Sequence, residues 1–463
     1  MAKTNYNEIK VAAARTALFN NINDVVEEIN IHNVLKLSSG ENLPTHKMID
    51  GNYPVFGGGG ETGLTHNIFN VDFETLAIGR VGARCGCVFK VPKQSWVTDN
   101  ALYALSFDKR FLLDFLIHYL NYVDLNQYAN RAAQPVISLK RISTINFPLI
   151  DLAKQKTFID IIEQVANGET HFGDEYFELN NALKSVDRIN ELQHELSYQL
   201  TQLENLNQAI LQEAVQGKLV EQDPKDEPAS ELLKRIKAEK AKSGKKEKPL
   251  PPIKPEEIPF EIPENWVWCR LGEITSILGD GLHGTPNYDP NGGYYFINGN
   301  NLINGKIEIK DTTKRVSGSE YEKHKKQLIS NTVFVSINGT LGNLAYYNGE
   351  KIILGKSACY FNLYQEVVRE YIGIYIKSSY FLKYAVDVAS ETTIKNVSLK
   401  SMRLLPIPLP PPTEQKRIVA EIEKQFAKTK QLKEHIIANQ QATEQLLKAL
   451  LHQAFEVEET VEA

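Results

Sequence analysis

Two stretches of this chain, 260 positions apart, carry the same junction. Val136 to Phe158 reads VISLKRISTINFPLIDLAKQKTF, and Asn396 to Ile418 reads NVSLKSMRLLPIPLPPPTEQKRI. Ser138-Leu139-Lys140 falls on Ser398-Leu399-Lys400, Pro148 on Pro408, and Gln155-Lys156 on Gln415-Lys416. In each copy an apolar, extended segment closes on a proline and a helical pattern follows at once. A duplicated junction implies a duplicated unit around it, which restricts the chain to folds built from two copies of one arrangement.

At 463 residues the chain has room for two to four domains with real cores. Four cysteines, Cys85, Cys87, Cys269 and Cys359, are too few for a disulfide framework and point to a reducing compartment. Met1 to Lys10 is polar and lacks the apolar core of a signal peptide. The most apolar helix-like run, Phe111 to Leu120, is broken by Asp114 and His118 and is too short to span a bilayer. A soluble, cytoplasmic protein with no membrane partner is expected. The net charge of -5 excludes a uniformly basic coat, but the distribution is uneven. Ile31 to Arg141 holds 11 Lys/Arg against 9 Asp/Glu, Ile262 to Leu405 holds 16 against 13, and Asp151 to Gly217 holds 4 against 12. The acidity sits in a helical spacer and leaves two mildly basic units, which is compatible with DNA binding on local patches.

In chain order, residues 1–30 form an N-terminal helical segment, with apolar residues from Val11 to Ile29 at helical spacing. Residues 31–150 change to short β-like runs between turn residues, including Gly57-Gly58-Gly59-Gly60 and a glycine-interrupted strand pair from Leu76 to Val91. Phe107 to Val123 returns to helical spacing, and Val136 to Ile150 is extended. Residues 151–220 are a long spacer helix with points of interruption at Asn167-Gly168 and Gly173. Ile189, Leu192, Leu196, Leu203, Leu206 and Ile210, with Gln199 in the same stripe, make a coiled-coil seam that Gly217 terminates.

Residues 221–261 hold a charged helical piece, Ser230 to Lys242, then Lys245-Lys246 and Pro249, Pro251, Pro252, Pro255 and Pro259. That composition is expected to act as a stiff, solvated spacer without a core. Residues 262–408 repeat the style of the first unit: Val333 to Gly339 matches Leu76 to Gly82, and Tyr371 to Val388 is helical. Residues 409–463 hold a second long helix and tail. Its seam takes Ile418, Ile422, Leu432, Ile436, Leu446 and Leu450, with Gln425, Thr429, Asn439 and Thr443 interleaved. Polar seam residues weaken a coil but fix its register. Two such helices most simply pair antiparallel and hold the units apart. A helix of ~40 residues reaches on the order of 60 Å, more than one duplex turn of roughly 34 Å.

This order of parts resembles the specificity (S) subunits of type I restriction–modification systems along nearly the whole chain. The resemblance rests on Ile262 to Ile274 (IPENWVWCRLGEI), which looks like the family's opening of a target recognition domain, on Gly51 to Gly60, on Gly339-Thr340-Leu341-Gly342 and on Pro410 to Ile418. Ile210 to Val220 and Gln222 to Lys240 are similar too. The first unit departs from the pattern: it lacks the Trp-containing opening and begins at Val34-Leu35-Lys36-Leu37. The spacing from Gln155 to Ala214 is also 59 positions, against 39 from Gln415 to Ala454.

The resemblance implies a mixed α+β fold in which two α/β target recognition domains, related by an internal pseudo-two-fold repeat, are separated by long helices forming an antiparallel coiled coil. It implies a non-catalytic subunit, each recognition domain reading one half of a split double-stranded DNA target. Such a subunit would direct adenine-N6 methylation by M (methyltransferase) subunits, which use S-adenosylmethionine, and cleavage by R (restriction) subunits, which use ATP and Mg. Cofactors are thus expected on the partners and none on this chain. The coil's outward face and the regions near Ala12 and Phe455 would meet M.

Base readout needs amide and guanidinium side chains at base edges, with glycines where backbone approaches phosphate. The DNA-binding candidates are Arg80, Arg84 and Lys90 around Gly79, Gly82 and Gly86 in the first unit. In the second they are Asn298, Asn300, Asn301, Asn338, Thr340, Asn343 and Lys356. The bland reading of each is a turn residue or a solvated charge. Gly57 to Gly60 lacks the Gly-Lys-Ser/Thr of a phosphate cradle and reads as a turn. Cys85-x-Cys87 has no second Cys/His pair at ligand spacing, so no metal is expected and these read as buried or half-buried thiols. His283 sits in the loop Asp280-Gly281-Leu282-His283-Gly284-Thr285-Pro286, where recognition and plain loop chemistry are equal readings. Tyr294, Tyr295, Tyr346, Tyr347 and Tyr360 read mainly as core or strand residues.

No catalytic residue is assigned. The strings nearest a methyltransferase tetrad, Asp289-Pro290-Asn291-Gly292 and Pro410-Pro411-Pro412-Thr413, do not fit it, and no Walker A lysine motif is present. Two rivals stay open from the residues alone: a recognition module with its own methyltransferase or nuclease activity, which labelled S-adenosylmethionine would reveal, and a coiled-coil adaptor, whose units would show no salt-dependent DNA binding.

Overall fold

The computed structural model describes residues 6–22, 25–82, 84–130, 135–242, 249–389 and 395–453. Lys245-Lys246, Ala454 and Phe455, named above, lie outside them. The chain forms two compact units, one within Met1–Ser197 and Ile437–Ala463, the other within Tyr198–Ile436. Among the described residues no helix is long and apolar enough to cross a membrane.

The first unit begins with α1 (Tyr6–Phe19), β1 (Glu27–Asn30), the single turn α2 (Ile31–Val34) and β2 (Leu35–Ser39). It continues with β3 (Tyr53–Gly57), β4 (Gly60–His66), β5 (Thr75–Gly79), β6 (Val88–Val91), β7 (Trp96–Val97), β8 (Ala101–Phe107), α3 (Leu113–Tyr122), β9 (Asn146–Leu149) and α4 (Leu152–Ala166). A four-stranded sheet has the order β2-β8-β5-β6, and a three-stranded sheet the order β4-β3-β7, in which β3 and β7 are parallel. Period-2 alternation divides β5 between two cores. Leu76 and Ile78 join the helical core of Phe19, Phe115, Phe147 and Phe158, while Ala77 joins Phe56, Val91 and Val97 under the small sheet.

The second unit repeats this plan. Its strands are β10 (Val267–Arg270), β11 (Thr275–Asp280), β12 (Tyr294–Ile297), β13 (Leu302–Ile303), β14 (Lys306–Ile307), β15 (Arg315–Val316), β16 (Thr332–Ser336), β17 (Leu344–Tyr346), β18 (Ile352–Leu354), β19 (Ala358–Leu363) and β20 (Pro406–Leu409). Its shorter helices are α6 (Ala229–Lys242), α7 (Gly318–His324), α8 (Arg369–Lys377), α9 (Ser379–Asp387) and α10 (Leu399–Leu404), and the long helices are α5 (Phe177–Val215) and α11 (Pro412–Gln453). The sheet orders are β11-β19-β16-β17 and β15-β12-β18, with β12 and β18 parallel. On β16, Val333 and Val335 face the helical core and Phe334 faces the small-sheet core.

The duplicated junction has a structural cause. Gln155 is fully buried; its Oε1 accepts from Leu112 N at 2.8 Å and its Nε2 donates to Arg110 O and Ile150 O at 2.9 Å each. Gln415, also fully buried, accepts from Val368 N at 2.8 Å and donates to Pro410 O at 2.9 Å. In each unit one side-chain amide ties the start of a helix to the loop entering another. An apolar replacement would strand those backbone groups.

Three expectations need correction. Val11 to Ile29 is not one helix: α1 ends at Phe19, and Glu27 to Asn30 pair with β9. Glu28 lies opposite Pro148 just as Trp268 lies opposite Pro408, so the repeated unit starts at β1, four residues ahead of 31, with EEIN where the second copy has VWCR. Nor is the N-terminal helix a separate segment, because Ala14, Leu18 and Phe19 pack into the unit's core.

The 221–261 stretch is not a solvated spacer. Its helix α6 is amphipathic, and Ala229, Leu232, Leu233 and Ile236 are buried in the second unit's core. The proline-rich segment after it is held by Arg270, whose Nη1 and Nη2 donate to Glu257 Oε1 and Oε2 at 2.7 and 2.8 Å. Arg270 also donates to Pro251 O at 3.3 Å, Pro252 O at 3.0 Å and Leu404 O at 2.6 Å. Lysines and prolines dominate the composition, while a four-residue apolar stripe does the packing.

The third correction is the phase of the seam. Within the second unit Asn207 Oδ1 accepts from Thr429 Oγ1 at 2.8 Å, and Glu204 meets Lys433 at 4.0 Å. Within the first, Gln193 Nε2 donates to Gln440 O at 3.3 Å. In the second unit the partners' numbers run in opposite directions, so the stretches of α5 and α11 within it pair antiparallel. Ile189, Leu196 and Ile210 are buried and Leu203 half-buried as expected, but Leu192 and Leu206 are exposed, and Gln193, Leu200 and Asn207 are half-buried in the second row. On α11, Thr429 and Thr443 are buried as expected and Leu447 joins them, whereas Leu432 and Leu446 are 52% and 55% exposed. The phase is fixed where Ile210, Ala214, Ile418 and Ile422 enter the core of the second unit, and counting away from Ala214 in steps of three and four yields the observed rows.

Candidate nucleic-acid interface

In each unit, four loops converge where the small sheet meets the four-stranded sheet, and the same backbone bonds hold them. In the first unit Gly40 N donates to Ala101 O at 3.1 Å and Glu41 N to Val97 O at 3.0 Å; in the second, Gly281 N donates to Ala358 O at 3.2 Å and Leu282 N to Leu354 O at 2.7 Å. Arg80 N donates to Asn100 O at 2.9 Å, and its counterpart Ile337 N to Ser357 O at 3.0 Å. Ile137 N reaches Arg80 O at 2.9 Å, and Val397 N reaches Ile337 O at 2.8 Å. Gly40 and Gly281 are required here: a Cβ at Gly40 would lie 2.3 Å from Thr98 O, and one at Gly281 2.2 Å from Gly355 O. The loops are therefore 39–42, 57–60, 80–87 and 98–100 in one unit and 280–283, 298–301, 337–343 and 355–357 in the other.

In the first unit, Arg80 and Arg84 stand in the loop cluster. Arg80 Nη1 touches Ser39 Oγ at 3.4 Å, and exposed Arg84 lies across Gly59, with its Cδ 3.4 Å from where a Cβ would be. Gly79 is buried, and a Cβ there would meet Gly58 O at 2.1 Å, so it locks two loops together. Gly82 and Gly86 take φ of +97° and +95°, which L side chains rarely adopt. Lys90 departs from the expectation: it sits along β6, away from the loops, between Glu74 at 3.4 Å and Asp114 at 3.1 Å. Gly57 to Gly60 form the tight turn joining β3 to β4.

In the second unit, Asn300, Thr340 and Lys356 are exposed in the cluster, and Asn338 is half-buried, bridged to Asn396. Asn298 Oδ1 accepts from Ser357 Oγ at 3.2 Å, and Asn343 Nδ2 donates to Gly299 O at 3.4 Å. Asn301 is buried and committed to the loop: its Oδ1 accepts from Asn298 N at 3.0 Å and its Nδ2 donates to Glu308 O at 2.9 Å. It shapes the surface without being presented on it.

The structure adds Ser39, Asn42 and Asp99 to the first unit's cluster, three positions that the sequence reading passed over. Ser39 and Asp280 are equivalent, as are Asn42 and His283, and Asp99 and Lys356. Asn42 Nδ2 donates to Asp99 Oδ2 at 3.3 Å, and His283 Nε2 bonds Asp280 Oδ2. Only the repeat relation, which runs at different offsets through different loops, could have found them. Cys85 is buried and Cys87 half-buried; burial raises both thiols, and their Sγ atoms point to Arg80 O and Gly58 O. Among the described residues no group of three or more His, Cys, Asp or Glu could hold a metal ion. The two clusters offer guanidinium groups in one unit and amides with a lysine in the other, the side-chain types that read base edges and phosphates.

The sequence profile of the type I restriction modification DNA specificity domain family matches residues 23–173 and 263–440. The chain is 35% identical over 240 residues to the type I restriction enzyme EcoAI specificity subunit of Escherichia coli, covering 49% of this chain and 40% of that protein. It is 31% identical over 264 residues to the EcoEI specificity subunit of Escherichia coli, covering 54% and 44%. It thus spans about two fifths of the length of the curated relatives it matches. The crystal structure of the HsdS subunit from Thermoanaerobacter tengcongensis aligns over 84% of this chain and 81% of that one, at 16% identity and a TM-score of 0.40. A chain from a structure of type I R-M complex assembly aligns over 93% and 97%, at 14% identity and a TM-score of 0.46. Neither superposition is close enough to add to the family match.

Proposed function

The chain belongs to the type I restriction modification DNA specificity domain family, and from that premise we propose that it is the non-catalytic, DNA-sequence-recognition subunit of a type I restriction–modification complex. Each unit reads one half of a bipartite target in double-stranded DNA. M subunits methylate adenine N6 with S-adenosylmethionine, and R subunits cleave with ATP and Mg, so the chain holds no cofactor of its own. The observation that carries this reading is the duplication of one four-loop cluster, held by the same backbone bonds but presenting different side chains. A scaffold kept constant under variable loops is what two readers of different half-sites require. Arg80 and Arg84 are the readers in the first unit, and Asn298, Asn300, Asn338, Thr340, Asn343 and Lys356 contact DNA in the second. Exposed Leu192 and Leu446 in the first unit, and Leu206 and Leu432 in the second, give the long helices apolar surface for M subunits.

The test is selection from a random duplex library by the chain purified with its M partner, followed by titration at several salt concentrations. The reading expects enrichment of two short half-sites at a fixed separation and an affinity that falls linearly in log–log with salt. A stable complex that enriches nothing and shows no salt dependence would instead leave a coiled-coil adaptor.

A further inference from the structure

One face of the second unit's small sheet has no counterpart in the first. Along β12 the side chains alternate, so Tyr295 and Ile297 turn toward the small-sheet core while Tyr294 and Phe296 turn the other way. Tyr294 stacks on Tyr321 with centroids 4.3 Å apart, and Phe296 lies 6.1 Å from Tyr288, which is 46% exposed. Two exposed lysines lie over these rings: Lys314 Nζ is 6.0 Å from the Tyr288 centroid and Lys351 Nζ 6.0 Å from that of Tyr294. Neither is ion-paired with a carboxylate among the described residues. Two acidic neighbours are engaged elsewhere: Glu322 pairs with Lys325 at 2.6 Å, and Glu350 accepts from Asn348 N at 2.7 Å. In the first unit, the strands β4, β3 and β7 and the residues flanking them include no lysine or arginine.

Aromatic faces hold these ammonium groups without neutralising them, so they stay available to an anion. The face also joins the loop cluster. Phe296 N donates to Lys314 O at 2.9 Å, two residues before Asn298, and Asn301 Nδ2 reaches Thr313 Oγ1 at 3.3 Å. Lys351, level with Tyr294 and two residues along the strand from Lys314, extends the positive track about 7 Å further, at ~3.3 Å per residue. Such a strip, continuous with base-reading loops, fits the sugar–phosphate backbone of a duplex beyond the bases being read.

Resting on the function proposed above, we infer that the Tyr288, Tyr294, Lys314 and Lys351 face binds the DNA phosphate backbone flanking the second half-site. It supplies sequence-independent affinity that the first unit's small sheet does not.

The experiment uses the full chain in complex with its M subunit, comparing wild type, the double variant Lys314→Gln/Lys351→Gln, and Lys310→Gln. Lys310 is the control, already paired with Glu308 at 3.6 Å. Each phosphate contact contributes about 0.9 to the salt slope. The double variant should therefore flatten the slope by about 1.8 and weaken binding at least about tenfold at 0.1 M salt. The control should change little, and the methylated sequence should stay the same. An unchanged slope overturns the inference. So does a changed target sequence, which would make these lysines base readers, and so does loss of M association at constant slope, which would make the face a protein contact. Absence of DNA binding by the wild-type complex would instead defeat the functional reading beneath it.

Discussion

Replacing Arg270 by alanine should detach the proline-rich segment from the second unit and cost about 3 kcal/mol. The side chain is only 3% exposed, and each of its five N–H groups has an acceptor: both Glu257 oxygens and the carbonyls of Pro251, Pro252 and Leu404. Removing one partner of a buried ion pair costs roughly 3–5 kcal/mol. Glu257 is about one-third exposed and can recover water once released, which favours the lower end. Phe260 packs on Trp268 with centroids 5.1 Å apart, so release should also change tryptophan emission. Substituting Trp96, the one tryptophan outside the second unit, isolates that signal. The assay is urea unfolding followed by fluorescence, with limited proteolysis of residues 249–263.

The pH dependence has a definite sign. Arg270 holds the Glu257 carboxyl below its ordinary value of 4.5, so the full gain is present above that pH and is lost as pH falls below it, through the lowered value the carboxyl has in the fold. The variant's deficit should shrink in acid. A loss under about 0.5 kcal/mol, well short of what a buried pair costs, with unaltered proteolysis, would refute the clamp.

Gln155→Leu and Gln415→Leu should each destabilise their own unit by about 2 kcal/mol, through stranded backbone groups. Separate unfolding transitions by differential calorimetry would check that the effects are independent. Trp266→Phe removes the Nε1–H that reaches Glu414 Oε2 at 3.0 Å. Burial already pushes that carboxyl above its usual range, so the fold favours its protonated form. The variant's loss of about 1–3 kcal/mol should be greater at pH 8 than at pH 4 in parallel urea titrations. Gly281→Ala sets a Cβ against Gly355 O and should blur only the second half-site in a library selection, while Gly40→Ala should blur only the first.

The junction repeat was legible because Gln155 and Gln415 do matching work, each accepting from a backbone N–H that opens another helix and donating to the carbonyl five residues earlier. The glycine turn at 57–60 and the Val333 to Gly339 match were legible for the same local reason. The seam phase was not: Leu192, Leu206, Leu432 and Leu446 are the more apolar choice, yet the ends of the helices are fixed by the second unit's core and turn those leucines outward. The start of the first unit was hidden because EEIN becomes a strand only by pairing with β9. Candidate side chains were found by type, but type did not separate Arg84 on the surface from Asn301, whose amide is used up inside its own loop.

The central claim is that this chain, and nothing else in the complex, chooses a split DNA target. The direct measurement is a methylome: express the M partner in a methylation-free host with and without this chain, and sequence for N6-methyladenine. The account predicts a bipartite, asymmetric motif that appears only when the chain is present. Identical methylation without it, or none despite a stable complex, would contradict the account.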